Sequence, residues 1–208
     1  MTSAASDTEQ LLRRVAQGDA TAERLLFDRH RSRLRRMVAV RMDRRLAARL
    51  DPSDVVQDSL LEAARQLPRY LRERPMPFYP WLRQLAWQRL VDLHRRHILT
   101  QKRGQIHEQE AGILDASAML LAEQIIDTAT SPSDRLVRDE MRDRVQVALA
   151  RLKPSDREVL IMRHLEQMQV SEIAALLEIS ESAVKMRRLR AIQRLRELLE
   201  ERSEEPPP

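Results

Sequence analysis

Apolar positions recur at helical spacing along most of the chain. Leu11, Leu12 and Val15, then Leu25 and Leu26, then Leu34, Met37 and Val38 predict helices across residues 8–48, broken near Gly18-Asp19-Ala20. Asp51-Pro52-Ser53 opens the next helix. Asp51 is placed to cap it, and Pro52 at the first helical position loses no hydrogen bond there. That helix is expected to run through VVQDSLLEAARQL to Pro68, with Leu60 and Leu61 in the core. The four prolines of PRYLRERPMPFYP predict a loop over residues 68–80, followed by a helix from near Trp81 to about His97. From Thr100 to Pro132 the periodicity fades apart from the patch ILDASAMLLAEQII, so this stretch is expected to be a linker with room for one short helix. Ser133-Asp134 then caps a helix to about Leu152, Lys153-Pro154-Ser155-Asp156 breaks it, and another helix ends near Arg163.

The last patterned segment, VSEIAALLEISESAVKMRRLRAIQRL from Val170 to Leu195, has an apolar seam that stops at Glu178-Ile179-Ser180 and resumes. Two short helices crossing through a tight turn require a small residue at the crossing and apolar residues on both sides. Ala174 meets the first demand; Ile173, Leu177, Ile179 and Val184 meet the second, and Ser180 is an N-cap with Glu181 in the first turn. The second helix can present Ser182, Lys185, Met186, Leu189 and Arg190 to a DNA major groove, with Arg187, Arg188 and Arg194 flanking it toward phosphates. One feature opposes this geometry. Glu178 stands where a left-handed backbone favours glycine, at a cost of about 1 kcal/mol.

Composition narrows the class. Three glycines and 3% aromatics in 208 residues favour an all-α chain with two small domains, expected at 8–99 and 133–202 around a linker at 100–132. There is no cysteine, no apolar run long enough to span a membrane and no signal-peptide pattern, so a cytoplasmic protein without membrane insertion is expected. The net charge of +5 is uneven. Residues 13–49 carry +8, and residues 81–103 and 180–196 carry +5 each, whereas residues 104–144 carry −5 and the tail 197–208 carries −4. Basic blocks in both halves, separated by an acidic stretch, suit two surfaces that meet one polyanion. No phosphate-binding glycine loop or nucleophile motif is present, so neither an enzyme nor a cofactor is expected. His94 and His97, with Asp92 nearby, have ligand-like spacing. Arg95 and Arg96 would repel a cation there, so no metal site is expected.

LKPSDREVLIMRHLEQMQVSEIAALLEISESAVKMRRLRAIQRLREL carries a Leu-x-Pro-x-x-Arg-x-x-Leu pattern ahead of the helix-turn-helix and resembles region four of bacterial sigma factors. DPSDVVQDSLLEAARQL resembles the core-polymerase-binding helix of region two, and FYPWLRQLAWQRLVDLHRRH the promoter-melting helix that follows it. The absence of a region three between them resembles the compact extracytoplasmic-function group. The resemblance covers most of residues 10–97 and 134–200. It implies that Asp54, Val55, Val56, Gln57 and Asp58 dock on the clamp of the largest polymerase subunit. It further implies that Tyr79, Arg83, Trp87, Gln88, Arg89, Arg95 and Arg96 meet the opened minus-ten strand, with Trp81 in the core. The implied function is a transcription initiation factor whose partners are core RNA polymerase and promoter DNA. It would be monomeric when free, with an anti-sigma factor as a further class of partner. The alternative is a stand-alone helix-turn-helix regulator whose N-terminal half senses a signal or dimerises.

Overall fold

A computed structural model of the chain describes residues 3–99, 117–126 and 135–201. The chain forms two compact units, Met1–Ile106 and His107–Pro208, and every regular element among the described residues is helical.

The first unit contains α1 (Ser3–Ala16), α2 (Ala20–Arg41), a single turn α3 (Arg44–Ala47), α4 (Pro52–Glu73) and α5 (Phe78–Leu99). The break between α1 and α2 is made chemically. Gly18 takes a left-handed φ of 87°, and the Asp19 carboxylate accepts from the backbone N–H groups of Thr21 and Ala22 at 2.9 and 3.0 Å. The Ala22 hydrogen bond, helped by Arg14, holds the Asp19 carboxyl below its ordinary acidity range. Helix α2 packs on α1, α4 and α5, and α4 packs on α5. Leu12, Leu26, Leu34, Met37, Val55, Val56, Leu60, Leu67, Trp81, Leu82 and Leu90 fill the space between them.

Two sequence expectations fail in this unit. Helix α4 does not stop at Pro68 but runs on to Glu73, leaving only Arg74–Pro77 as the connection. Pro68 is exposed, so its ring meets solvent and leaves the core packing of α4 undisturbed, which lowers the cost of an interior proline. The helix instead closes at Arg74, whose φ is 38°. The aromatic residues beside the turn form a cluster that fixes it. Tyr70 stacks on Trp81 at 4.5 Å, meets Phe78 edge-on at 5.5 Å, and donates its hydroxyl to the Met76 carbonyl at 3.0 Å. Burial pushes the Tyr70 phenol up to about 12. Trp81 is buried here, as the family pattern implied. The second failure is Leu61. Leu60 is in the core, but Leu61 is 55% exposed, because it falls one helical step outside the buried stripe.

The second unit comprises α6 (117–126), α7 (Arg135–Arg151), α8 (Pro154–His164), α9 (Val170–Leu177) and α10 (Glu181–Glu201). Part of the stretch expected to be a linker is therefore helical. Ala118, Leu121, Ala122 and Ile126 of α6 are buried, and Glu123 reaches Arg142 of α7 at 3.9 Å. The expected Ser133-Asp134 cap lies outside the described residues. Helix α10 packs on α7, α8 and α9 through Val184, Ala191, Leu195 and Leu198.

Candidate nucleic-acid and polymerase interfaces

The turn around α9 and α10 is held by local hydrogen bonds that the sequence supplies. The Gln169 backbone N–H donates to Glu172 at 2.9 Å and starts α9. Arg163 donates to the Met168 carbonyl at 2.9 Å and ties α8 to that start. Ala174 is buried where α9 meets α10, and Ile179 donates its N–H to the Ala174 carbonyl at 3.1 Å. Glu178 occupies the left-handed region with φ 53°, the strained position anticipated from the sequence. Ser180 caps α10 by accepting from the Ala183 N–H at 3.1 Å.

With its seam turned inward, α10 leaves Ser182, Lys185, Met186, Leu189, Arg190 and Arg194 exposed and Arg187 and Arg188 half-buried. Lys185, Arg187, Arg188 and Arg190 have no carboxylate within ion-pair distance among the described residues, whereas Arg194 is engaged by Glu197 at 2.9 Å and Glu201 at 3.4 Å. A desolvated or paired guanidinium has little left to offer a phosphate. Four cations without carboxylate partners, all between Lys185 and Arg190 of α10, form a ready electrostatic footprint.

In the first unit the residues expected at interfaces divide by burial. Asp54, Gln57 and Asp58 project from α4 into solvent, but Val55 and Val56 are each 1% exposed and pack into the core. The expectation that both valines dock on a partner is corrected: they lie on the α4 stripe that faces α2 and α5. Leu61, Glu62 and Arg65 continue the exposed face and, with Leu85, Gln88, Arg89 and Asp92 of α5, border a groove of about 440 Å³. Asp58 and Arg89 bridge that groove with a contact of 2.5 Å.

Two residues expected to face the separated strand do not reach it. Tyr79 is 2% exposed, with the Arg33 guanidinium 3.6 Å from its ring centre and His30 stacked at 5.8 Å. Arg83 is 5% exposed and lies 6.0 Å from the Trp87 ring. Both are corrected to packing positions, since Tyr79 and Arg83 are buried and the tyrosine ring is already occupied by Arg33 and His30. Trp87 is half-buried against the core, with Arg41 5.4 Å from its ring. Gln88, Arg95 and Arg96 are exposed, and Arg89 is half-buried and held by Asp58.

Comparison with known proteins fixes what these two units are. Residues 26–98 match the model of sigma-70 region 2, and residues 142–195 that of sigma-70, region 4. RNA polymerase sigma factor CarQ of Myxococcus xanthus is 31% identical over 192 residues, covering 91% of this chain and 96% of its own. The chain belongs to the RNA polymerase sigma factor family. The ECF RNA polymerase sigma-E factor of Haemophilus influenzae is 26% identical over 92% of this chain and 93% of its own. The sigma-E factor of Salmonella typhimurium, also named ECF, is 26% identical over 88% of this chain. The protein is a sigma-type transcription initiation factor of the extracytoplasmic-function kind, and the match to region 2 disfavours the stand-alone regulator. No helix among the described residues of the sigma factor is long and apolar enough to cross a membrane.

Sequence reasoning missed Leu61. The signal was present: counting by three and four from Asp54 reaches Gln57, Asp58, Leu61 and Arg65, a face separate from the one through Val56, Leu60, Ala63 and Leu67. The cations that cover Tyr79 and Trp87 come from α2, about 46 residues away in sequence, and no local pattern announces them.

Proposed function

We propose that the sigma factor docks on core polymerase through the exposed face of α4, holds the opened minus-ten strand beside α5, and reads the minus-thirty-five duplex with α10. The observation that carries this reading is the outer face of α10, where Lys185, Arg187, Arg188 and Arg190 stand without carboxylate partners among the described residues, presented by a helix-turn-helix whose second helix is capped by Ser180. On α4 the docking residues are Asp54, Gln57 and Asp58, joined by Leu61. At the strand, Gln88, Arg95 and Arg96 supply exposed polar and cationic groups, with Trp87 partly available and Arg89 reachable once Asp58 turns to another partner. On this reading the free chain is a cytoplasmic monomer, and an anti-sigma protein would silence it by covering either face.

Two modest sites on one polymerase raise each other's effective concentration, so neither unit needs to bind DNA tightly alone. The test is the double substitution Lys185→Ala with Arg190→Ala. It should weaken transcription from a minus-thirty-five-dependent promoter by about 1–3 kcal/mol per lost contact, with core binding unchanged in a competition assay. Unaltered transcription at such a promoter would remove α10 from the reading role.

A further inference from the structure

The outward side of α10 is not uniformly cationic. Opposite the buried seam of Val184, Ala191, Leu195 and Leu198 stand Ser182, Met186, Leu189 and Gln193, all exposed. Met186 keeps 51% of its surface in water and Leu189 48%, among the most exposed large apolar side chains in the described residues. The cations lie to either side of this ridge. By helical phase, Lys185, Arg188 and Arg196 fall on one flank and Arg187, Arg190 and Arg194 on the other.

This arrangement fits a helix lying in a major groove, where the flanks meet the two phosphate backbones and the ridge meets base edges. An apolar ridge has a narrow choice of partners there. Set against a guanine or a cytosine edge, Met186 and Leu189 would cover hydrogen-bonding groups and leave them without water or protein partners, which is unfavourable. The thymine C5-methyl is the apolar group that the major groove of unmodified DNA presents. Resting on the reading that α10 enters that groove, we infer that Met186 and Leu189 are specificity residues that read thymine methyl groups in the minus-thirty-five element.

The spacing supports a pair of contacts. Three residues of α-helix advance about 4.5 Å, close to one base step of about 3.4 Å, so the two side chains meet thymines on neighbouring base pairs, on either strand. Met186 sits in the second turn of the helix, where reading helices contact bases, and its unbranched thioether can adjust to a methyl on either side. The alternative occupant is a protein surface. The cations on both flanks disfavour it, because an ordinary protein partner would have to supply carboxylates on two sides at once.

The experiment uses holoenzyme assembled from the full chain and core polymerase. Duplexes randomised across the minus-thirty-five window are selected for binding, and the preferred element is rebuilt with deoxyuridine replacing one thymine at a time. Uracil pairs as thymine does and lacks only the methyl. One or two adjacent positions should lose about fourfold in affinity each, the value of one buried methyl-sized group. Met186→Ala and Leu189→Ala, at exposed positions that leave the fold intact, should each abolish the thymine–uracil difference at one of these positions. Wild-type holoenzyme that tolerates uracil everywhere, or a difference that survives in both variants, overturns the inference. Lys185→Ala with Arg190→Ala separates the two levels of failure. If that variant binds the selected element normally, α10 is not the reading helix. If it binds weakly while uracil is silent, the helix reads DNA but not through thymine methyls.

Discussion

Leu61 allows a quantitative test of where the sigma factor meets core polymerase. Burying a whole leucine side chain is worth about 1.5–3 kcal/mol. With 55% of Leu61 exposed in the free protein, covering the remainder contributes about 0.8–1.6 kcal/mol, or about four- to fifteenfold in Kd. Leu61→Ala should weaken holoenzyme formation by most of that factor. Its cost to the fold should be about 1 kcal/mol or less, since more than half of the residue contributes nothing to the core. Val56→Ala is the contrasting change. Val56 is 1% exposed, so truncation should cost the fold about 2 kcal/mol and lower the melting temperature of this small unit by several degrees. Where Val56→Ala protein remains folded, it should bind core polymerase with wild-type affinity.

The assay is competition for limiting core polymerase against a labelled reference sigma factor, with circular dichroism melts of each variant run in parallel. Leu61→Asp sharpens the contrast, because a carboxylate stays solvated in the free protein and must lose water in the complex. Unchanged affinity for both Leu61 variants would refute the α4 face as the docking surface. Weakened binding by folded Val56→Ala would show instead that polymerase engages a rearranged α4.

Burial, followed by the charges of Arg33 and Arg29, draws the His30 imidazole down to about 4 from its ordinary value near 6.5. The unfolded chain therefore takes up the proton first: the stability His30 contributes is complete above pH 6.5 and lost as pH falls toward 4, by about 3 kcal/mol in all. Melts between pH 7 and 4.5 should show this loss in the wild type and a shallower one in His30→Gln. Glu178→Gly relieves the left-handed backbone at φ 53° and should raise the stability of the second unit by about 0.5–1 kcal/mol, read from its thermal melt. Trp87→Ala should leave closed complexes intact and slow strand opening, as read by permanganate reactivity of unpaired thymines, with a pre-melted bubble restoring the rate. A lowered melting temperature without bubble rescue would make Trp87 a packing residue only.

Much of the architecture was readable because local chemistry decides it. The Asp51 and Ser180 caps, the break at Gly18-Asp19 and the seam of Ile173, Ala174 and Val184 all depend on residues within a few positions of one another. What the pattern hid depends on distant partners or on orientation. Pro68 looks like a stop signal, yet the core contacts of Leu67 and Tyr70 carry α4 past it while its ring faces water. Tyr79 and Arg83 look like nucleic-acid ligands until α2 brings Arg33 over the tyrosine ring. Helix α6 falls in the apolar patch where room for a short helix was expected, but that it is buried within the second unit was not legible locally.

The two exposed faces share a construction and differ in sign, and the sign decides their partners. On α4, Leu61 stands among Asp54, Asp58 and Glu62, with Arg65 one turn further along and Arg69 and Arg72 beyond it on the same face. On α10, Met186 and Leu189 stand among six cations, with Glu181 in the first turn and Glu197 further along, the latter occupied by Arg194. Around Leu61, Asp58 and Glu62 already hold Arg89 and Arg65, so a nucleic acid would find no surplus of cations there, and covering Leu61 falls to a protein. A protein approaching α10 would need acids along both flanks, whereas duplex DNA brings two phosphate rows already spaced for them. The apolar residues thus set how much each contact contributes, and the charges around them set what may come close enough to make it.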